Sequence, residues 1–232
     1  MVKVKMPPVS DNQSIYDLMF SAIANRKLPP GLKLSEERLC RVFGVSRTRL
    51  REVFFRLAQD RIITLKHNRG AYVARPSAKE ASEVFAARRA IEVSVVEVLA
   101  QAPEQRVITR LQQHLKDESR ARAAKDHGRL TQLTGDFHLL LAELTGNSLF
   151  CDIVRRLTAL SSLIISLYDS PNAAACKDDE HSAIVSAIAA GDAHAARRLM
   201  LEHLDHVEKS LKIDEEDQED FDIESVFQEM LG

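Results

Sequence analysis

Arg47, Thr48 and Arg51 stand within the stretch GVSRTRLREVFFRLAQD, residues 44–60. Arginine can grip guanine through two hydrogen bonds, and a threonine or serine hydroxyl can hold a phosphate. Such a trio in the first turns of one helix suits the reading of a DNA major groove. Leu50, Val53, Phe54 and Leu57 recur at helical spacing and define a core-facing side, which turns the trio outward. A plainer interpretation is that Arg47, Arg49 and Arg51 are the solvated face of an ordinary amphipathic helix. The neighbouring elements weigh against it.

Gly44 can take the left-handed backbone that ends one helix, and Ser46 is a good N-cap for the next, so the spacing predicts a helix-turn-helix. Ser35 caps the preceding helix, with Glu36 and Glu37 at the positive end of its dipole and Leu39, Val42 and Phe43 as its core. An earlier helix begins at Ser14, with Ile15, Leu18, Met19, Ala22 and Ile23 on one face, and Lys27-Leu28-Pro29-Pro30-Gly31 stops it. After the recognition helix, two β-prone runs, Ile62–Lys66 and Ala71–Ala74, flank the turn-forming His67-Asn68-Arg69-Gly70, which predicts a two-stranded hairpin, the wing of a winged helix. His67, Asn68, Arg69 and Gly70 at its tip lie where they could reach a minor groove or phosphates, although the hairpin would also close the small core. Arg69 is the stronger DNA candidate, since an asparagine beside glycine is more often a turn former. The candidate DNA-contacting set is therefore Ser46, Arg47, Thr48, Arg49 and Arg51 with these four wing residues.

The net charge of −2 conceals an asymmetry: residues 1–75 hold 15 Lys+Arg and 6 Asp+Glu, a local +9, and the remainder carries −11. A basic N-terminal unit suits a polyanion that would repel the rest of the chain. Arg75-Pro76-Ser77 breaks the pattern as a linker. Beyond it the composition is helical, with six helices expected at about 78–101, 104–125, 129–145, 148–169, 178–190 and 193–212, bounded by Pro103, Gly128, Gly146-Asn147, Ser170-Pro171-Asn172 and Gly191-Asp192. The expected fold is mainly α: an N-terminal winged helix-turn-helix over 1–75, an all-α six-helix bundle over 76–213, and an acidic tail over 214–232 that ends in a short amphipathic piece around Val226–Leu231. The first 11 or so residues read as a basic arm. Cys40, Cys151 and Cys176 are scattered and in no CxxC pair, which argues against a disulfide framework and a zinc ribbon. No signal-peptide run and no stretch of about 20 apolar residues appears, so a cytoplasmic protein without a membrane partner is expected.

The run LPPGLKLSEERLCRVFGVSRTRLREVFFRLAQDRIITLKHNRGAYV, residues 28–73, resembles the GntR family of bacterial transcription regulators. The strings RRAIE (88–92), FHLLLAELTGN (137–147) and HSAIVSAIAAGDAHAARRLMLEHL (181–204) resemble that family's FadR-like branch with its helical ligand-binding FCD domain, six helices placing the chain nearer the VanR-like subgroup. The resemblance implies a homodimer, acting as a repressor on double-stranded palindromic operator DNA, whose helical domain senses a small molecule, usually an organic acid. Arg47, Thr48, Arg51 and the wing around Arg69 would carry the DNA contacts. The chain departs from the family in Glu37, where many relatives carry an arginine, and in Arg49, which replaces a frequent proline or threonine. Phe55, on the polar side of the recognition helix, is expected to pack against the linker or the helical domain.

Many domains of this kind hold a divalent metal through an aspartate and three histidines, and His138, His181 and His203 match the three histidine positions. Helical spacing places His181 with Ile184 and Ile188, His203 with Leu199 and Val207, and His138 at the edge of the face formed by Leu133, Phe137, Leu140 and Leu144. Thr134 stands where the family's aspartate usually lies. Asp136 is about 200° around the helix from His138 and is poorly placed to share one metal with it. Either three histidines bind metal, Zn²⁺ or Ni²⁺ being favoured by imidazole, or the site has lost its metal and binds effector by hydrogen bonds, with Thr134 among the lining groups. Arg88 puts a charge on the apolar line Val84, Ile91, Val95, and reads either as an ion pair with Glu92 or as a clamp for an effector carboxylate. His194 and His206 read as surface residues. A metal-dependent hydrolase and an effector-independent architectural DNA protein are the alternative functions, the first disfavoured by the lack of an HExxH or a His-Asp doublet.

Overall fold

The computed structural model describes residues 11–168 and 179–211 of the chain. The expected N-terminal arm, the Ser170-Pro171-Asn172 boundary, Cys176 and the acidic tail with its amphipathic end lie outside the described residues.

The N-terminal unit comprises α1 (Asn12–Ala24), β1 (Lys33–Leu34), α2 (Glu36–Phe43), α3 (Arg47–Gln59), β2 (Ile63–Lys66) and β3 (Gly70–Val73). Ser35 and Ser46 cap α2 and α3 by accepting from the amides of Arg38 and Arg49, and Gly44 between them sits at φ 68°, so the turn follows the chemistry expected of it. Helix α1 starts before Ser14, because the Asp11 carboxylate caps it by accepting from the Ser14 amide. Its buried face is Ile15, Tyr16, Met19, Phe20 and Ile23, while Leu18 is exposed. The stripe is rotated from the expected one because a helix of the C-terminal unit covers the Phe20 side, where Arg155 lies 4.9 Å from the Phe20 ring centroid.

Two further expectations are corrected. The sheet has three strands in the order β1-β3-β2, all antiparallel, with Lys33 opposite Tyr72 and Ile63 opposite Val73. A two-residue strand is too short for alternation to reveal it. Val42 is 68% exposed, so α2 contributes Leu39 and Phe43 to the core edge without it.

The C-terminal unit is the expected run of helices: α4 (Ala78–Gln101), α5 (Gln105–Ala123), α6 (His127–Leu144), α7 (Ser148–Tyr168), α8 (Glu180–Ala189) and α9 (Ala193–Ser210). Helix α4 opens with a capping box between Ser77 and Glu80 and packs lengthwise on α9. Around them Val96, Leu111, Phe137, Leu141, Ile184, Ile188, Met200 and Leu204 form the main core. Helix α7 serves both units, because its Ala159 and Leu163 are buried in the winged-helix core with Ile15, Phe54 and Leu57. Arg155 pairs with Asp17 at 2.6 Å, and the Ser162 hydroxyl donates to the Ala24 carbonyl at 2.5 Å. Among the described residues no helix is long and apolar enough to cross a membrane.

Candidate functional site

Helix α3 buries Leu50, Val53, Phe54 and Leu57 and leaves Arg47, Thr48 and Arg51 exposed, together with its cap Ser46. Arg51 donates to both carboxylate oxygens of Glu36 at 3.0 and 3.2 Å. An exposed pair of this kind is screened by solvent and contributes little, so a phosphate or a base edge can replace Glu36 at little cost. Arg49 is placed differently: its Nε donates 2.6 Å to the Asn12 side chain, and the residue is half-buried between α3 and α1. At the wing tip His67, Asn68, Arg69 and Gly70 are all exposed. Asn68 and Gly70 adopt left-handed φ values of 57° and 95°, the backbone that a tight hairpin demands. Phe55 is 61% exposed on the groove between α3 and the wing, beside Leu65 and Lys66, so it does not pack against the linker or the helical unit as expected.

The second site lies inside the bundle. His138 on α6, His181 on α8 and His203 on α9 are buried, and one ligand atom of each lies within 4.8 Å of the others. Their orientation is set by carboxylates. The Nδ1 of His138 meets Glu92 Oε2 at 2.6 Å, that of His181 meets Glu118 at 3.0 and 3.1 Å, and that of His203 meets Glu180 at 2.8 Å. The Nε2 atoms of His138 and His203 face each other at 3.3 Å. Phe137 stacks on His181 with ring centroids 3.9 Å apart and holds that ring in place.

Burial drives the His138 pKa down to about 3 against the opposing pull of Glu92. It drives His203 to about 4, offset in part by the hydrogen bond to Glu180. Burial opposes ionisation of Glu92, yet Arg88 and His138 beside it hold its carboxyl well below the ordinary carboxylate range. The Glu118 carboxyl is likewise penalised by burial but falls to about 2 through hydrogen bonds from His114 and His181. Each of His138 and His203 is thus a neutral imidazole whose Nδ1 proton faces a carboxylate and whose Nε2 carries a lone pair. Such a donor set fits a borderline-soft divalent cation.

Arg88 is buried and pairs with Glu92 at 2.5 and 3.3 Å, so the ion-pair expectation holds, and it also lines a cavity of about 250 Å³. Thr134, Asp136 and His138 line the same cavity. The Thr134 hydroxyl donates to the Thr131 carbonyl, and burial raises the Asp136 carboxyl. Among the described residues the histidine cluster includes no aspartate, in keeping with the poor placement of Asp136. His194 is exposed, whereas His206 is only partly so and shares Glu180 with His203 at 2.8 Å.

Glu118, Glu180 and His114 were not singled out from the sequence. Glu118 falls on the apolar stripe of α5 seven residues after Leu111, with His114 one turn before it, a charge on a buried face of the kind that marks Arg88. Glu180 carries no such signal, being merely adjacent to His181.

A winged helix joined to a helical bundle around a buried histidine centre is the architecture of a DNA-binding protein with a second, internal site. Residues 12–73 match the family of bacterial regulatory proteins called the gntR family, and residues 83–206 match the FCD domain. The chain belongs to the GntR family of transcriptional regulators, in the branch that carries an FCD effector-binding domain. It is 29% identical over 207 residues to the uncharacterized HTH-type transcriptional regulator YdfH of Escherichia coli, covering 89% of this chain and 90% of that one. It is 28% identical over 202 residues to the HTH-type transcriptional repressor RspR of Escherichia coli, covering 87% and 89%. Among solved structures, a GntR transcriptional regulator from Rhodococcus sp. RHA1 superimposes with a TM-score of 0.75 at 26% identity, over 85% of this chain and 95% of that one. The family consists of transcriptional regulators, not enzymes, and neither the hydrolase nor the architectural alternative finds support in it.

Proposed function

We propose that the chain is a cytoplasmic homodimeric repressor of the VanR-like subgroup, whose hold on a palindromic operator is set by a small organic acid. The unit over 1–75 binds DNA, that over 76–213 holds the effector and the dimer contact, and 214–232 is an acidic tail. Repression is inferred from the likeness to a relative named a repressor. Arg47, Thr48 and Arg51 enter the major groove, Ser46 starts their helix, and Arg49, tied to Asn12, sets its tilt at the rim of the contact. The wing, through His67, Asn68, Arg69 and Gly70, lies against the adjacent minor groove or its phosphates.

The observation that supports the effector site best is the convergence of three carboxylate-anchored imidazoles on one point. His138, His181 and His203 would hold Zn²⁺ or Ni²⁺ there. The bound cation would supply a Lewis-acidic point for a carboxylate oxygen. Arg88 spends two N–H groups on Glu92 and retains others for the acid, and Thr134 lines the same cavity.

Metal analysis of the purified, tag-free chain tests this reading. About one metal per chain is expected, with none in a variant carrying alanine at 138, 181 and 203. No metal in either protein, even after loading with Zn²⁺ or Ni²⁺, would refute the metal centre.

A further inference from the structure

The acidic stretch 214–232 has no part in either site described above, yet the fold brings its point of departure close to the DNA-binding unit. Leu211, the last described residue, packs with Ala81 and Phe85 at the start of α4 and with Val84 and Tyr168 beside them. The Tyr168 hydroxyl donates to the Pro76 carbonyl of the linker at 3.0 Å, so the chain leaves the bundle next to the winged helix. Val84 and Pro76 also line a cleft that runs along the linker to Leu65 of β2. Leu65 in turn lines the groove between α3 and the wing, together with Phe55, Arg51 and Lys66. One continuous surface therefore leads from Leu211 to the recognition helix. Twenty-one residues follow Leu211, and even at a helix's rise of 1.5 Å per residue that length spans about 30 Å.

Exposed apolar side chains set that groove apart from the rest of the DNA-facing surface: Phe55 is 61% exposed and Leu65 40%. Arg47, Arg51 and Phe55 follow one another at intervals of four residues along α3, so the aromatic ring continues the line of the two arginines. A duplex meets such a surface mainly with phosphate charge. The segment 214–232 matches both halves of it, with nine Asp+Glu and no Lys or Arg, interleaved with Phe221, Ile223, Val226, Phe227, Met230 and Leu231. Its charge of −9 equals in size the +9 of residues 1–75. We propose that residues 214–232 dock in this groove, with Phe227 and its apolar neighbours against Phe55 and Leu65 and with carboxylates on Arg51 and Lys66, so that the chain competes with DNA for its own recognition helix. Glu36, which holds Arg51 there, gives way to a carboxylate of the tail as it does to a phosphate. The inference rests on the reading of α3 and the wing as the DNA-contacting surface. An internal competitor weakens every duplex by one factor, and the weak non-specific sites are vacated first.

The chain contains no tryptophan, so Phe227→Trp in the full chain supplies a single fluorescent reporter. Its emission is expected to be blue-shifted and shielded from acrylamide. It should move to the red with Phe55→Ser, and again when a random-sequence duplex of about 30 base pairs is added at about 50 mM salt. In the same titration the double variant Phe227→Ser, Leu231→Ser, whose charge is unaltered, should bind that duplex about fivefold or more tightly than the unaltered chain, a gain that long-range repulsion by the tail does not produce. An emission like that of free indole, unmoved by Phe55→Ser, would overturn the docking. If Phe55→Ser leaves the emission in place and weakens duplex binding, the groove belongs to DNA, and if the blue shift vanishes on hundredfold dilution it belongs to a second copy of the chain; either result overturns the inference. Arg47→Ala in the same titration keeps the two readings apart. Weaker duplex binding there, with no gain from the double serine variant, means that α3 contacts DNA and the tail does not compete, whereas an unaltered affinity removes the α3 reading and the competition with it.

Discussion

The Nε2 atoms of His138 and His203 lie 3.3 Å apart, while the Nδ1 of each ring is matched to a glutamate on another helix, Glu92 on α4 and Glu180 on α8. Two neutral imidazoles held in this way turn lone pairs towards each other, which is favourable only with a proton or a cation between them. The carboxylates therefore do more than fill space: they choose the tautomer that leaves a lone pair on Nε2.

Glu118 anchors the third imidazole, so Glu118→Gln is expected to lower Zn²⁺ affinity about 10- to 100-fold, the usual effect of losing such a partner. His181→Ala should lower it further. Competition against a chromophoric chelator measures both, and an unchanged affinity in Glu118→Gln would show that His181 is oriented by its packing on Phe137 alone.

Acid should destabilise the metal-free chain. His138 and His203 have folded pKa values of about 3 and 4, below the value of about 6.5 for an unfolded histidine. As pH falls below about 6.5 the unfolded chain takes up protons that the folded chain refuses, so stability declines from there towards pH 4 and is fully regained above pH 7. The lowered carboxyls of Glu92 and Glu118 add a loss of the same sign at more acidic pH. Urea midpoints at pH 7.5, 5.5 and 4.5 in the presence of EDTA check this, and His203→Gln should flatten the profile.

Removing Arg47 should cost about 1–3 kcal/mol of operator affinity and relax the base preference at one position of each half-site. Arg51→Ala should also weaken binding, with the oligomeric state unchanged in both variants. Arg49→Ala should leave base preference largely unaltered while loosening α3 against α1, since its Nε is bound to Asn12. Fluorescence anisotropy over a set of operator variants separates these effects, and an Arg47→Ala protein with unaltered preference would refute the docking of α3.

Arg88→Met leaves the Glu92 carboxylate buried without its guanidinium and should destabilise the fold by about 3–5 kcal/mol. Thermal unfolding in EDTA measures this. A change of less than about 1 kcal/mol would mean that His138 alone satisfies Glu92.

The helix-turn-helix was legible because a glycine, two capping serines and a 3.6-residue repeat act locally, and the six bundle helices because Gly, Pro and Asn punctuate them. Strand β1 was not, since Lys33 and Leu34 are recognisable as a strand only through Tyr72 and Ala71 opposite them. Leu18, expected on the buried face of α1, is exposed and Phe20 is buried for the same reason: the covering helix, α7, lies well over a hundred residues away in sequence. In the histidine centre the imidazoles could be matched by position, and Glu118 betrays itself as a charge on an apolar stripe. Glu180 depends on tertiary neighbours that no local pattern announces.

Ala159 and Leu163 of α7 are part of the winged-helix core, and this limits how such regulators can be recombined. A winged helix grafted from a relative onto this bundle would meet an α7 face shaped for Ile15, Phe20 and Leu57, and a bundle grafted onto another winged helix would leave that core open on one side. Exchange of DNA specificity between relatives is therefore expected to succeed through the exposed positions of α3 and the wing, and to fail when the cut is made at the linker unless the facing residues of α7 travel with it.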